Sequence, residues 1–154
     1  MPPNENEKKD YYTEAELAGL REKFIYMLTG QPLSIIVVDA GATNRRLVVN
    51  ALSPGGFENI YEARTGAEGL ALAKKYRRRQ MAAIVDEALG GGMDYSAFWR
   101  AFRQIAATGV LILIGNRLPP AKLEAAAKLG AAAVFQRPVK GDALLAKLKE
   151  LGIG

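Results

Sequence analysis

The stretch that decides the fold is LSIIVVD at residues 33–39, a run of apolar, mostly β-branched residues that ends in a carboxylate. Such a run is typical of a strand that is covered on both faces. The pattern returns in MAAIVD at residues 81–86 and in VLILI at residues 110–114. Two weaker segments, NIYEA at residues 59–63 and AAVFQ at residues 132–136, complete a set of five predicted strands.

A helical pattern follows each predicted strand. Alternation of this kind indicates a parallel sheet with helices on both faces. Right-handed crossovers then favour an α/β, flavodoxin-like, doubly wound five-stranded sheet of order 2-1-3-4-5, with the weakly alternating second strand at an edge. The predicted helices span residues 43–52, 66–78, 95–106, a segment opened by Pro119 and Pro120 and closed by Gly130, and residues 140–151.

An extra N-terminal helix precedes this pattern. Residues 1–12 are polar and predict a disordered tail, and residues 13–31 form an amphipathic segment whose helix, 13–29, begins with the capping box of Thr13 and Glu16. The remainder, residues 32–154, is the domain that contains the predicted sheet. The apolar stripe of the helix must be covered. It packs on its own domain or pairs with a second chain, and we favour a homodimer.

Composition narrows the function classes. The chain has no cysteine and no histidine, so thiolate catalysis, Ser-His-Asp catalysis and the common zinc sites are excluded. Neither a signal peptide nor a membrane span is evident, and we therefore expect a cytoplasmic protein. A net charge of +5 permits an acidic or nucleic-acid partner without requiring one.

Two carboxylates end neighbouring strands of the predicted sheet. Asp39 follows the first strand and Asp86 the third, and ligands of open α/β sheets bind at this edge. The pair could hold a magnesium-like cation, or one carboxylate could act as a nucleophile toward phosphorus. Arg137, after the fifth strand, could pair with a carboxylate or with a phosphoryl oxygen. The plainer alternative is that these charges only mark the turns into solvent.

The sequence at these positions resembles the receiver domain of two-component response regulators. IIVVDAGATNRRLVVNAL (35–52) resembles that family's first strand, acidic loop and first helix, and AAIVDEALGGGMD (82–94) its phosphoacceptor strand and loop. VLILIGN (110–116) resembles its fourth strand, and AAAKLGAAAVFQRPV (125–139) its fourth helix and fifth strand. The resemblance covers about residues 33–151 and implies a signalling module that is not an enzyme.

The resemblance implies that Asp86 stands at the phosphoacceptor position. The tandem acids of the family match Asp39 and Ala40, so that the acid which ligates magnesium directly is missing. Losing it weakens charge neutralisation at a transferred phosphoryl group. A metal on Asp39 and Asp86 would be held weakly, and we expect no cofactor.

The switch positions of the family also differ here. Its Ser/Thr matches Gly115, its lysine matches Arg137, and its switch aromatic matches Val134. Phe135 is adjacent to Val134, but strand alternation points it to the opposite face. Gly90–Gly92 replace the proline-containing loop after the phosphoacceptor. We therefore expect a degenerate pseudo-receiver that binds a protein partner, with an ion pair between Arg137 and Asp86.

Two other functions stay open at this point. One is a working receiver that accepts a phosphoryl group on Asp86. The other is a binder of nucleotide, cyclic dinucleotide or nucleic acid through a basic cluster at the end of the second sheet helix, in which Tyr76 could stack on a base. The plainer interpretation of that cluster is a solvated face near a helix C-terminus. Its members are Lys74, Lys75, Arg77, Arg78 and Arg79.

Three aromatic residues of the third sheet helix lie at helical spacing. They are Phe98, Trp99 and Phe102, and their spacing predicts that they pack in the core.

Overall fold

The computed structural model describes residues 11–29 and 33–153. The chain divides after residue 32 into two compact units. Most of the predicted tail, residues 1–12, lies outside the described residues. No helix within residues 11–29 and 33–153 combines the length and the apolar character that crossing a bilayer requires.

The first unit contains helix α1, Glu14–Thr29. Its start is the predicted capping box: the amide of Glu16 donates to Thr13 Oγ1 at 3.2 Å, and the amide of Thr13 donates to Glu16 Oε2 at 3.0 Å. These reciprocal bonds satisfy amides that the first helical turn leaves without intrahelical partners. Leu17 and Leu20 are exposed. The helix is therefore present as predicted, and its role in dimerisation stays a prediction.

The second unit alternates strands and helices along its whole length. Its strands are β1 (Leu33–Val38), β2 (Ile60–Ala63), β3 (Gln80–Asp86), β4 (Val110–Gly115) and β5 (Ala133–Gln136). Its helices are α2 (Ala42–Leu52), α3 (Gly66–Lys75), α4 (Tyr95–Ile105), α5 (Pro120–Leu129) and α6 (Gly141–Glu150).

The five strands form one parallel sheet of order β2-β1-β3-β4-β5. Val38 pairs in register with Val85, and Asp86 with Ile114. The predicted flavodoxin-like topology is confirmed, including the position of β2 at an edge. All strands run the same way, so their carboxyl ends meet at one edge of the sheet.

The sheet separates two apolar cores. Ile36 and Val38 point into one core, while Ile35 and Val37 point into the other, because successive side chains of a strand face opposite sides. The first core lies under α3 and α4, and the second under α2 and α6. Central strands covered on both faces explain why β1, β3 and β4 are nearly continuous apolar runs.

The aromatic residues of α4 belong to the first core, as predicted. Phe98 and Phe102 are fully buried, and Trp99 is 4% exposed. The indole Nε1–H of Trp99 donates to the carbonyl of Leu129 at 3.0 Å, which ties α4 to the last turn of α5. Gly130 then ends α5 with a φ of 105°, in the left-handed region that glycine adopts without strain.

Helix α3 ends at Lys75, three residues before the predicted end. Lys74 and Lys75 occupy its last turn, but Arg77, Arg78 and Arg79 lie in the connection to β3. The prediction that all five cations lie at the end of a helix is therefore wrong for the three arginines. The cause is a tertiary contact, since the carbonyl of Tyr76 accepts a hydrogen bond from Ser34 Oγ at 2.7 Å instead of continuing the helix.

Candidate functional site

The carboxyl edge of the sheet gathers the residues that the sequence singled out. Asp39 follows β1, Asp86 ends β3, Gly115 ends β4 and Arg137 follows β5. The amide of Arg137 donates to the carbonyl of Gly115 at 2.9 Å, which fixes the start of the Arg137 side chain at this edge.

Asp39 lies at the bottom of the site and is 4% exposed. Its Oδ1 accepts the amide of Gly41 at 2.8 Å, and its Oδ2 accepts Nη2 of Arg137 at 2.7 Å. A guanidinium that donates to a buried carboxylate makes one of the stronger hydrogen bonds available in a protein. Both oxygens of Asp39 therefore have donors from the chain itself.

Asp86 meets the same guanidinium at a longer distance. Its Oδ2 lies 3.5 Å from Nη2 of Arg137, and its Oδ1 accepts the amide of Ala88 at 3.1 Å. The predicted ion pair between Arg137 and Asp86 is present, although Asp39 is the closer partner. One nitrogen of Arg137 thus faces both carboxylates, and the expected convergence of Asp39 and Asp86 occurs around it.

Burial raises the pKa of Asp39 above its ordinary value of 3.8 and is the largest influence on it. The negative charge of Asp86 raises this pKa further. The hydrogen bond from Gly41 and the positive charge of Arg137 act in the opposite direction. Arg137 therefore supplies charge compensation that a buried acid beside a second acid requires.

The donor set does not fit a magnesium ion. Among the described residues, no group of three or more acidic side chains could hold a metal together. Magnesium requires octahedral coordination by oxygen and is usually held by one or two carboxylates with water. The two carboxylates that would hold it here already face Nη2 of Arg137, which lies 2.7 Å from Asp39 Oδ2 and 3.5 Å from Asp86 Oδ2.

Leu118 fills the space beside Gly115, a feature that sequence reasoning missed. A Cβ atom added to Gly115 would lie 2.8 Å from Leu118 Cδ2, closer than packed carbon atoms approach. The Leu118 amide donates to Gln136 Oε1 at 3.0 Å, and the preceding Arg117 has a φ of 46°. A side chain at position 115 would therefore require the Leu118 side chain to move. No single-residue motif signals this, because it depends on the path of the following loop.

Ion pairs surround the acidic pair on both sides. Arg45 donates through Nη1 to the carbonyl of Asp39 at 2.8 Å and pairs with Glu62 of β2 at 3.2 Å. On the other side, Lys122 of α5 pairs with Glu87, the neighbour of Asp86, at 2.7 Å. The site is therefore linked to the edge strand β2 and to helix α5.

The fifth strand places Val134 and Phe135 on opposite faces, as the alternation predicts. Val134 packs against the core under α3 and α4, and Phe135 against the core under α2 and α6. The aromatic ring of Phe135 is therefore on the other face from the predicted switch position.

The remaining candidate residues lie elsewhere. The basic cluster spans the last turn of α3 and its connection to β3, at the amino edge of the sheet and away from the acidic pair. The ring of Tyr76 is stacked on Tyr61, with centroids 4.0 Å apart and planes at 8°. Gly91 and Gly92 have positive φ, and their loop connects β3 with α4.

Comparison with known proteins identifies the fold through solved structures. No protein-family model matches the chain, and no curated protein matches it. The signal receiver domain of the response regulator NarL from Mycobacterium tuberculosis is 25% identical, with a TM-score of 0.68, over 79% of this chain and 96% of that chain. A CheY-like receiver domain protein from Methanospirillum hungatei is 22% identical, with a TM-score of 0.66, over 77% and 91%. A receiver domain protein from Clostridium thermocellum is 18% identical, with a TM-score of 0.67, over 77% and 92%.

Proposed function

We propose that this chain is a pseudo-receiver, a receiver-like signalling module that acts by binding a protein partner and does not depend on phosphorylation. The observation that carries the proposal is the position of Arg137, whose Nη2 lies 2.7 Å from Asp39 and 3.5 Å from Asp86. In the receiver domains that this chain resembles, a metal ion brings positive charge to the acids at the matching positions. Here a side chain supplies that charge permanently.

Two further features support a site that has lost its phosphoryl chemistry. Ala40 offers no carboxylate at the position of the second acid. Gly115 offers no hydroxyl, and Leu118 occupies the space where a side chain at position 115 would begin. A phosphoryl group on Asp86 would therefore lack the metal ligand and the hydroxyl donor on which its transfer and its recognition depend.

The partner surface that we propose is formed by α5, β5 and α6, the face that the resemblance implies. Strand β5 has four residues and lies at an edge of the sheet. Beside it and α6 is a shallow groove of about 380 Å³, lined by Val134, Phe135 and Ala146 together with Lys147 and Glu150. Protein interfaces combine apolar contact with polar and charged groups, and this lining offers both.

The test is phosphorylation by a small-molecule phosphodonor with magnesium, followed by intact mass. We expect no phosphoryl adduct on the natural chain. The matched control is a variant that restores the receiver pattern, with Ala40→Asp, Gly115→Thr, Leu118→Ala and Arg137→Lys together. Circular dichroism would verify its fold, and we expect it to gain an adduct that Asp86→Asn removes.

A stoichiometric adduct on the natural chain, lost in Asp86→Asn, would instead establish the working receiver. That result would overturn the pseudo-receiver proposal even if the restored variant were also phosphorylated.

A further inference from the structure

Positive charge is concentrated in the basic cluster, whose members are Lys74, Lys75, Arg77, Arg78 and Arg79. Among residues 33–153, no carboxylate oxygen lies within 4.0 Å of any of these five cations. Arg45, Lys122 and Arg137 of the same unit are, by contrast, each paired with an acid. Within residues 33–153, the positive charge of the cluster is therefore uncompensated at the amino edge of the sheet.

Two buried donors within this region lack acceptors among residues 11–29 and 33–153. Nε of Arg78 and Nδ2 of Asn59 are both inaccessible to solvent, and neither has a hydrogen-bond partner in that part of the chain. The two side chains are neighbours, because Nη2 of Arg78 lies 3.4 Å from Oδ1 of Asn59. A buried donor without an acceptor is costly, and more so when it is charged. Both missing partners are acceptors, which an oxygen-bearing anion would supply once the side chains of Arg78 and Asn59 move apart to admit it.

We propose that Arg78 and Asn59 form the base of a binding site for a phosphoryl group, with the exposed Lys74, Arg77 and Arg79 around it. Phosphate oxygens are strong acceptors and match the fork of a guanidinium. The site lies before β2 and β3, at the opposite edge of the sheet from Asp39 and Asp86. It is therefore independent of the proposed function.

The site recognises the phosphoryl group and no attached base. Tyr76 is the aromatic residue inside the basic run, and one face of its ring is already stacked on Tyr61 at 4.0 Å. The ammonium of Lys75 lies 5.3 Å from the same ring. Stacking a nucleobase on Tyr76 would compete with these contacts, so the ring adds nothing to a nucleotide's affinity.

The test measures the thermal midpoint of the full chain in chloride and in inorganic phosphate at equal ionic strength. Binding to the folded state alone raises the midpoint, by about 5 °C when phosphate exceeds its dissociation constant about tenfold. In Asn59→Asp, a built-in carboxylate replaces the missing acceptor beside Arg78. We expect this variant to have a higher midpoint than the natural chain in chloride and to lose the increment in phosphate.

Asn50→Asp is the matched control, since Asn50 is an exposed residue of α2 and the change in charge is the same. It should keep the full phosphate increment, which separates binding from the general stabilising effect of phosphate on proteins. A second variant, Lys74→Gln with Arg77→Gln, alters only exposed positions, and we expect it to need about tenfold more phosphate for half of the increment. Equal increments in the natural chain, Asn59→Asp and the double variant would overturn the proposal.

Two further ligands distinguish the source of the phosphoryl group. A nucleoside 5′-monophosphate should give no larger increment than inorganic phosphate at equal concentration. An increment that needs tenfold less nucleotide would overturn recognition of the phosphoryl group alone. Salt-dependent binding of a single-stranded oligonucleotide, without any effect of phosphate, would assign the cluster to nucleic acid and overturn the small-anion site.

Discussion

At the scale of single residues, Arg137 decides the character of the acidic pair. The sequence predicted that Arg137 would pair with Asp86, and the pair exists at 3.5 Å. The shorter bond, 2.7 Å to Asp39, was not predicted. Strand order brings three charges to one edge, but only side-chain packing decides which carboxylate lies deeper. Asp39 is 4% exposed, so desolvation makes it the carboxylate that depends more on the cation.

Replacing Arg137 by glutamine should destabilise the fold in a pH-dependent manner. The positive charge of Arg137 lowers the pKa of Asp39, so its loss raises that pKa further above 3.8. A carboxyl whose folded pKa is raised contributes stability below its unfolded pKa and loses it as pH rises through the folded value. We expect Arg137→Gln to lower the free energy of unfolding by about 3 kcal/mol at neutral pH. The deficit should shrink as pH falls toward about 4.

Urea unfolding at several pH values and NMR titration of the Asp39 carboxyl carbon would measure both effects. Arg46→Gln is the control, because Arg46 is 59% exposed and its pair with Glu62 lies at the surface. Its effect should stay below about 1 kcal/mol at every pH. A deficit in Arg137→Gln that is the same at every pH would contradict the assigned role.

At the scale of the elements, glycine lets α3 approach the sheet. A Cβ atom on Gly69 would lie 2.9 Å from Val38 Cγ2 and 3.1 Å from Phe98 Cε2. Gly69→Ala should therefore lower the free energy of unfolding by about 2 kcal/mol through overpacking. Alanine is otherwise the better helix former, so this change is opposite in sign to helix propensity.

Gly19→Ala tests the same substitution without the packing conflict. An added Cβ there would have no atom within 4 Å, and Gly19 lies inside α1. Circular dichroism of the full chain should show more helix, consistent with a gain of about 1 kcal/mol in helix propensity. Stabilisation by Gly69→Ala as well would show that α3 moves freely over β1.

The elements themselves were predictable because their patterns are local. Central strands are apolar runs and sheet helices carry apolar stripes, so all five strands and their helices were expected in order. The errors lie where distant residues intervene. Helix α3 stops early because the Tyr76 carbonyl binds Ser34, 42 positions away. Leu118 reaches the acidic site only through the path of its loop. No sequence pattern predicts the conformation of this loop, in which Arg117 has a φ of 46°.

At the scale of the whole molecule, Leu33–Gly154 is a compact unit by itself, and the described residues of this unit supply two apolar cores. A chain of residues 33–154 should therefore fold without α1 and unfold in one cooperative urea transition. If α1 mediates dimerisation, as we predict, light scattering should find the full chain dimeric and the shortened chain monomeric. A shortened chain that remains dimeric would place the interface in the sheet unit, and a monomeric full chain would refute the dimer.

The topology followed from the order of the strands and helices, because handedness and adjacency leave few arrangements for five βα units. The identity of the protein partner did not follow from the sequence. Partner recognition depends on the shape and charge of the surface of α5, β5 and α6, whereas the periodic pattern of the chain mainly records which side chains are buried.

Because Trp99 donates to the carbonyl of Leu129, its fluorescence reports on the position of α5. Trp99 is the one tryptophan in the sequence, so all indole emission comes from the junction of α4 and α5. A ligand or partner that displaces α5 would break this bond and admit water to a buried ring. The emission would then shift toward longer wavelength, without any label being attached to the protein.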